Sequence, residues 1–278
     1  MKNIGLKFAT MAFLISAAAS PSLAGKGGSA GSIRQAVASH SADAIIAEVE
    51  RTEGLGCEEC IQLVTQLTED SRFSVREVAA WWFAKRPTLQ KMMAEQFEPE
   101  LVSGSSIQVR NAADFLGSSS TFTALPRMRQ AILRTDLDAD AKLALVRAVD
   151  HLGNLGGNPV LTTAMADASA LVRAAAVKAW RDVRGQANAA PVVAMLNDGD
   201  ANVRAEAATV VGAMTETGAR AALENLAISD DSAIVRRNAS WALGKLGSAA
   251  SRVALTQASH DPSGLVRMTA RAALAQLH

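Results

Sequence analysis

Two cysteines three positions apart, Cys57 and Cys60, are the side chains in this sequence best suited to covalent chemistry. In an oxidising compartment such a pair forms a local disulfide, which here would fix the turn between predicted helices at residues 42–51 and 60–67. A redox-active dithiol is the alternative, because a helix start can lower the pKa of a thiol. The adjacent Glu58 and Glu59 disfavour a thiolate, so the sequence favours the structural disulfide over the redox role.

Motifs for other catalytic chemistry do not occur in the sequence. None of the four histidines, His40, His151, His260 and His278, falls in an HExxH or His-Glu pair. A zinc site at the cysteines would need two further ligands, and covalent haem would need a histidine where Ile61 stands. There is no nucleophile elbow, phosphate-binding loop or dinucleotide fingerprint. We therefore predict no metal, no cofactor and no catalytic centre.

The chain is organised by a repeated unit in which an arginine follows a valine. An aspartate usually stands six residues before the arginine and an alanine three residues after it, and the arginines recur at steps of 31 to 34 residues. One double step of 63 residues holds a degenerate copy in which Lys142, Leu145 and Arg147 compete for the arginine position. The copy at Arg110 has Gly104, instead of an aspartate, six residues before the arginine. The aspartate and arginine pairs are Asp70 and Arg76, Asp167 and Arg173, Asp198 and Arg204, Asp230 and Arg236, and Asp261 and Arg267.

A period of this length without strand alternation indicates a two-helix unit that buries its apolar face against its neighbours. The clearest copy shows this face as Val235, Ala239 and Leu243, spaced as on one side of a helix. The pattern resembles the HEAT-like repeat family, in the short bacterial form also seen in phycobilin-lyase-type repeats. The resemblance implies an all-α, right-handed α-solenoid of about seven helix pairs over residues 41–278, irregular over 41–147 and regular over 148–278.

Two activities known in similar repeats do not carry over to this chain. HEAT-like di-iron hydroxylases use repeated His-Glu pairs, which the sequence lacks. Phycobilin lyases act on cytoplasmic antenna proteins, whereas this chain is predicted to be exported.

The repeated aspartates and arginines predict a ladder of ion pairs. An aspartate just ahead of a helix can cap it or pair with the arginine of its own or the adjacent copy, and repetition extends such pairs along the array. We expect a gap at Arg110, because Gly104 supplies no carboxylate. The alternative is an anion-binding track formed by the arginines.

The first residues read as a secretory signal peptide. Residues 1–24 place Lys2 and Lys7 before an apolar run and end in small residues, and the run is shorter than a membrane span. Residues 25–40 are predicted to be a flexible leader and the start of the first helix. No cysteine lies near the cleavage site, so we expect a periplasmic or secreted protein without a lipid anchor or stable membrane insertion. The formal net charge of +1 gives no basic face for nucleic acid.

Large aromatic side chains concentrate between residues 73 and 122, and helix phase separates them into two groups. The position five residues after the arginine points away from the apolar face, and it holds Trp81, Phe115 and Trp241. Trp82 and Phe83 belong to the buried side. We take the outward three, with further bulky residues nearby, as candidates for ligand or partner binding; the further residues are Met92, Met93, Phe97 and Phe122. The alternative is a core packed with larger side chains.

The predicted function is a binding or scaffold protein that holds a protein partner on the concave face of the solenoid. One alternative is a carrier of a hydrophobic small molecule, such as a lipid or sterol, in the aromatic-rich N-terminal half. The second alternative is a redox role that depends on Cys57 and Cys60.

Overall fold

A computed structural model describes residues 28–277 of the chain. These residues form sixteen α-helices and five short 3-10 turns, and no β-strand occurs among them. The predicted signal peptide lies outside the described residues. The helices are α1 Ala30–Ala38, α2 Ala42–Arg51, α3 Glu58–Leu67, α4 Phe73–Ala84, α5 Pro87–Ser103, α6 Ser106–Ser118, α7 Leu125–Ala131, α8 Ala139–Leu152, α9 Asn158–Ala164, α10 Ala170–Asp182, α11 Ala190–Ala194, α12 Ala201–Ala213, α13 Arg220–Ser229, α14 Ala233–Leu246, α15 Arg252–Ala258 and α16 Gly264–Leu274.

Consecutive helices pack in pairs, so α1 and α2 form unit 1 and the last pair, α15 and α16, forms unit 8. Each second helix also packs against the second helix of the next unit, which gives an all-α solenoid of two layers. Residues 28–277 thus contain eight units, one more than the seven or so predicted. The extra unit arises because α1 begins at Ala30, where Ser29 and Ser32 form a capping box.

The two layers begin their helices differently. Four first helices, α5, α7, α9 and α11, have a proline in their first turn, where the missing N–H is no loss. Second helices begin after a short polar turn, as at Asp138 before α8 and Asp200 before α12, whose carboxylates accept backbone N–H bonds. In units 3, 4 and 6 a first helix that begins with proline is followed by a second helix with a side-chain cap.

A common register relates the second helices. In each, the residue four positions after the N-cap donates its N–H to the N-cap carbonyl, and this position is here called the slot. The slots recur at steps of 31 to 33 residues. From unit 1 to unit 8 the slot residues are Ile45, Arg76, Val109, Lys142, Arg173, Arg204, Arg236 and Arg267.

The register settles the sequence alignment at one unit and corrects it at another. Lys142, not Leu145 or Arg147, occupies the slot of unit 4. In unit 3 the slot residue is Val109, so the alignment on Arg110 was one residue too far along the helix. Every position counted from Arg110 in α6 therefore moves by 100° around the helix axis.

Small residues let neighbouring second helices approach backbone to backbone. A Cβ placed on Gly117 of α6 would lie 2.5 Å from the Cα of Ala148 in α8, and one on Gly212 of α12 would lie 2.7 Å from the Cα of Ala242 in α14. Both glycines stand eight residues after their slot and both alanines six residues after theirs. The close approach is a property of the register rather than of one pair of helices.

No helix within residues 28–277 combines the length and the apolar character that a membrane crossing needs.

Candidate functional site

In the C-terminal half, the slot arginines of units 5 to 7 each pair with the aspartate of the following unit. Arg173 donates from Nε and Nη2 to the carboxylate of Asp198, with both distances at 2.8 Å. The same two-bond contact joins Arg204 to Asp230 and Arg236 to Asp261, at 2.6 to 3.1 Å. The arginine–aspartate ladder therefore links one unit to the next, the adjacent-copy arrangement among those the sequence allowed.

The remaining hydrogen bonds of the ladder hold each unit's own turn. Arg204 Nη1 donates to the carbonyls of Asp198 and Gly199, and Asp230 accepts the N–H of Ser232 at 2.8 Å. The Arg204 side chain is only 17% exposed to solvent, and the Asp230 side chain is 4% exposed. Because these guanidinium groups are enclosed and paired, they present no open track of positive charge to an anion.

Pairing holds the carboxyl groups of the ladder in their charged form. The Arg173 hydrogen bonds lower the pKa of the Asp198 carboxyl, and those of Arg236 lower the pKa of Asp261, against a smaller opposing effect of burial. At Asp230 burial acts to raise the pKa, but the Arg204 hydrogen bond and the N–H of Ser232 outweigh it, so the pKa is lowered.

Several expected rungs of the ladder have different partners. Asp70 pairs with Arg72 at 2.8 Å, and Asp167 pairs with Lys142, the slot residue of unit 4, at 2.6 Å. Arg267 lies in the last unit, and its Nη1 donates to the carbonyls of Asp261 and Pro262. The sequence left pairing within one copy and pairing with the adjacent copy both open, and the adjacent-copy arrangement occurs wherever the next unit supplies the partner.

The ladder is interrupted at unit 3, where the slot holds Val109. Arg76 finds its carboxylate at Asp114 of α6 instead, at 2.6 Å, and the two side chains are 3% and 0% exposed. Arg147 of α8 binds the same carboxylate at 2.9 Å. Arg110 forms no ion pair within residues 28–277 and donates to Asn111 Oδ1. The gap at Arg110 follows from its displacement out of the slot rather than from Gly104.

Phe115 is wrongly placed by the sequence analysis, which put it on the outward side of α6. In the true register it stands six residues after the slot, the position of Trp82 in α4, and it is 1% exposed. Its ring centroid lies 5.8 Å from that of Phe83 and 4.8 Å from that of Phe97. Phe115 is therefore a core residue of the N-terminal half, as Trp82 and Phe83 are.

The other bulky candidates do not share a surface with the outward tryptophans. Phe97 and Met93 of α5 are buried, at 3% and 9% exposure. Met92 is 37% exposed on the same first helix, and Phe122 is 43% exposed in the 3-10 turn before α7. These four residues belong to the first-helix layer and its connections rather than to the second helices.

Trp81 and Trp241 are the two large aromatic residues that stand five positions after their slots, on the outward side of α4 and α14. Both rings are partly exposed, and each has a lysine one turn further along: Lys85 Nζ lies 5.3 Å from the Trp81 ring centroid and Lys245 Nζ 5.5 Å from that of Trp241. On each second helix, four positions lie on this outward side: two residues before the slot, and one, two and five residues after it. Together these positions are here called the second-helix face.

Each tryptophan lines a shallow cleft on this face. The first cleft has a volume of about 280 Å³ and the second of about 270 Å³. The first is lined by Ile46, Glu50, Ser74, Glu77, Val78 and Trp81, and the second by Thr209, Arg237, Asn238, Trp241 and Thr269. A cleft of about 380 Å³ between the turns before α11 and α13 has no aromatic side chain in its lining, which consists of Ala187, Asn188, Ala189, Ala190, Val193, Glu216 and Gly218.

The second-helix face also carries a row of exposed apolar residues that the sequence analysis missed. They stand two positions before the slot, and their exposed fractions are 53% to 71%. The row consists of Ile107, Leu171, Ile234 and Leu265. Extending the comparison of outward positions to the residue two before the arginine would have found three of its members, Leu171, Ile234 and Leu265.

Cys57 and Cys60 are joined by a disulfide with an Sγ–Sγ distance of 2.04 Å at the start of α3. Cys57 is the N-cap residue of α3 and is partly exposed, whereas Cys60 is fully buried. The bond closes the turn that joins unit 1 to unit 2. Within residues 28–277 no group of three or more histidine, cysteine, aspartate or glutamate side chains could hold a metal ion.

Comparison with known proteins agrees with the repeat architecture. Residues 189–275 match the family model of HEAT repeats, which confirms the resemblance drawn from the repeated unit. An Escherichia coli protein, YibA, superposes with a TM-score of 0.55 at 15% identity over 87% of this chain and 91% of its own, and it supports the fold alone. No curated protein matches the chain in sequence.

Two further solved structures align over most of the chain at lower TM-scores. Human deoxyhypusine hydroxylase in complex with glycerol aligns at 20% identity over 89% of this chain and 95% of its own, with a TM-score of 0.39. A designed armadillo repeat protein aligns at 18% identity over 88% and 98%, with a TM-score of 0.31. At these TM-scores neither structure informs the activity of this chain.

Proposed function

We propose that this protein is an exported, non-catalytic binding protein that holds a protein partner on the second-helix face of its HEAT-repeat solenoid. HEAT repeats form protein-interaction scaffolds, and the match to the HEAT-repeat model supports that general role here.

The observation that carries the proposal is the placement of Trp81 and Trp241. Most large aromatic side chains of the described chain fill the core, whereas these two stand at the same outward position of their units, partly exposed, and each lines a cleft. Tryptophan is enriched among residues that dominate protein interfaces. The exposed apolar row on the same face adds area that a partner could cover.

The close approach of the second helices supports the choice of face. In a curved array of two layers, the helices of the inner layer must lie nearer to one another than those of the outer layer. The backbone contacts of Gly117 with Ala148 and of Gly212 with Ala242 lie in the second-helix layer. We therefore infer that the second-helix face is the concave side of the solenoid, where an extended partner contacts several units at once.

The small-molecule carrier has less support than the protein-binding role. It required Trp81, Phe115, Met92 and Met93 to surround an enclosed pocket in the N-terminal half. Phe97 and Phe115 instead fill space by packing against each other, and Met93 is buried beside them in the core. The redox role rests on Cys57 and Cys60 alone, and free thiols in the natively isolated protein would be needed to support it.

The proposed export rests on residues 1–24, with their basic start, apolar run and small residues before Gly25. A processed chain that begins at Gly25, recovered from the periplasm or medium, would support it. A chain that keeps Met1 would contradict it.

Site-specific photo-crosslinking tests the proposed face. A photoreactive residue is introduced at 81, at 241 or, as a matched control, at 95, where the native Glu95 side chain on the first helix α5 is 68% exposed. After irradiation in cells, cross-linked species are identified by mass spectrometry. We expect one protein to be captured from positions 81 and 241 but not from 95. Equal capture from all three positions, or extraction of lipid alone, would contradict the proposal.

A further inference from the structure

The two tryptophan clefts on the second-helix face have opposite charge. In the first cleft Glu77 lies one position after the slot, and Glu50 of the preceding unit is exposed and forms no ion pair within residues 28–277. The nearby Lys85 ammonium is held by Glu53 at 3.1 Å, and His151 Nε2 lies 3.6 Å from Glu77 Oε1. The first cleft therefore presents carboxylates beside an aromatic ring.

In the second cleft, the position equivalent to Glu77 holds Arg237. Arg237 donates from Nε to Asn238 Oδ1 at 2.9 Å and forms no ion pair within the described part of the chain. Lys245 adds a second positive charge beside Trp241. Thr209 and Thr269 also line the cleft, but their hydroxyl groups donate to the carbonyls of Ala205 and Leu265, so the positive charge around the ring comes from Arg237 and Lys245.

These linings select different side chains of a partner. A guanidinium or ammonium group is attracted to the face of a tryptophan ring and forms charge-assisted hydrogen bonds with carboxylates, as Trp81, Glu50 and Glu77 would provide. A carboxylate pairs with a guanidinium in a two-bond fork, which Arg237 can supply. The charges also favour one orientation of a partner along the array, since the reverse would place like charges together.

The distance between the clefts sets the length of the partner segment. Trp81 belongs to unit 2 and Trp241 to unit 7, so five steps between neighbouring second helices separate them. Packed helices lie about 8–10 Å apart, which gives roughly 45 Å along the face. An extended chain rises about 3.3 Å per residue, so roughly 14 residues span the two clefts.

We propose that the second-helix face binds an extended polypeptide segment with an arginine or lysine in the first cleft and an aspartate or glutamate in the second, about 14 residues away. This inference rests on the proposed function and specifies the chemistry of its partner. The apolar row, which includes Leu171 and Ile234, would contact the backbone and apolar side chains between the two charged anchors.

Selection from a displayed library of random peptides about 20 residues long, a length chosen to exceed the span between the clefts, tests this inference with the chain of residues 25–278. We expect the enriched peptides to carry a basic and an acidic residue at the stated spacing. Glu77→Arg should reverse the preferred charge at the first anchor and weaken selected peptides by about tenfold, the effect of one charge-assisted hydrogen bond. Arg237→Glu should do the same at the second anchor. Glu95→Arg, on the first helix α5 and away from this face, should leave both preferences unchanged.

The outcomes separate this inference from the proposed function. Peptides that require Trp81 and Trp241 but show no paired charges, or whose charge preference survives the two substitutions, would overturn the inference and leave the proposed face intact. Failure to enrich any peptide above the level of a Trp81→Ala and Trp241→Ala double variant would overturn the inference. Failure of the cross-linking as well would overturn the proposed function.

Discussion

Replacing Asp230 with alanine removes one rung of the arginine–aspartate ladder. Arg204 donates two hydrogen bonds to the Asp230 carboxylate, at 2.7 and 3.0 Å, and the N–H of Ser232 donates a third at 2.8 Å. The Arg204 side chain is only 17% exposed. The substitution therefore leaves an enclosed guanidinium without its counter-charge and a turn without its side-chain acceptor.

The expected loss of stability is smaller than for a fully buried pair. Removing one partner of a buried ion pair costs about 3–5 kcal/mol. Arg204 keeps its Nη1 hydrogen bonds to the carbonyls of Asp198 and Gly199 and reaches some solvent. We therefore expect Asp230→Ala to lower the free energy of unfolding by about 2–3 kcal/mol. Asp231→Ala, at the exposed neighbouring position, should change it by no more than about 0.5 kcal/mol.

Urea unfolding at pH 7 measures both variants against the parent protein. The midpoint and the slope of the transition should be compared together, because a solenoid can lose its units separately and then no longer unfolds in two states. If Asp230→Ala proves no more destabilising than Asp231→Ala, the ladder does not stabilise the solenoid.

The difference in unfolding free energy between the parent protein and Asp230→Ala should also depend on pH. The lowered pKa of Asp230, in which Arg204 and Ser232 outweigh burial, means that the carboxylate is favoured in the folded state. Its contribution is then fully present above the unfolded-state pKa of about 4 and is lost as the pH falls through the folded-state value. The stability difference between parent and Asp230→Ala should be constant at neutral pH and shrink below about pH 4.

Two substitutions test the revised packing, with thermal and urea unfolding as the measurements. Phe115→Ala should lower the free energy of unfolding by about 3–5 kcal/mol, because it removes the ring that packs against Phe83 and Phe97. Phe122→Ala, at a side chain that is 43% exposed, should lower it by about 1 kcal/mol or less. Equal effects of the two substitutions would contradict the placement of Phe115 in the core. Gly212→Ala should cost about 1–3 kcal/mol because its Cβ would lie 2.7 Å from the Cα of Ala242, and a neutral result would contradict the close approach of α12 and α14.

The regular half of the solenoid could be predicted closely from the sequence. From Lys142 to Arg267 the slots are 31 or 32 residues apart, so aligning the Val-Arg pairs also aligned the helices. The direction of the ladder could not be predicted, because sequence spacing does not distinguish a contact within one unit from a contact with the next. That choice depends on the offset between stacked helices, which only the packing supplies.

In the irregular half, the sequence alignment was wrong by one residue, in unit 3. Val109-Arg110 matches the repeated dipeptide, but the N-cap at Ser105 places Val109 in the slot, and Ser105 with Gln108 forms a capping box that the sequence already contains. The error displaced Phe115 from the core to the surface and gave the candidate site a third aromatic residue that it does not have. Trp81 and Trp241, in correctly aligned units, kept their outward positions.

The central claim is that the repeated geometry of the ladder maintains the solenoid while the second-helix face binds a partner. The most direct measurement is the affinity of the partner captured at positions 81 and 241 for the Trp81→Ala and Trp241→Ala double variant, taken together with its thermal unfolding. We expect affinity to fall by more than about tenfold, while stability falls by only about 1 kcal/mol per substitution, since both rings are partly exposed. An unchanged affinity in a folded double variant would contradict the claim.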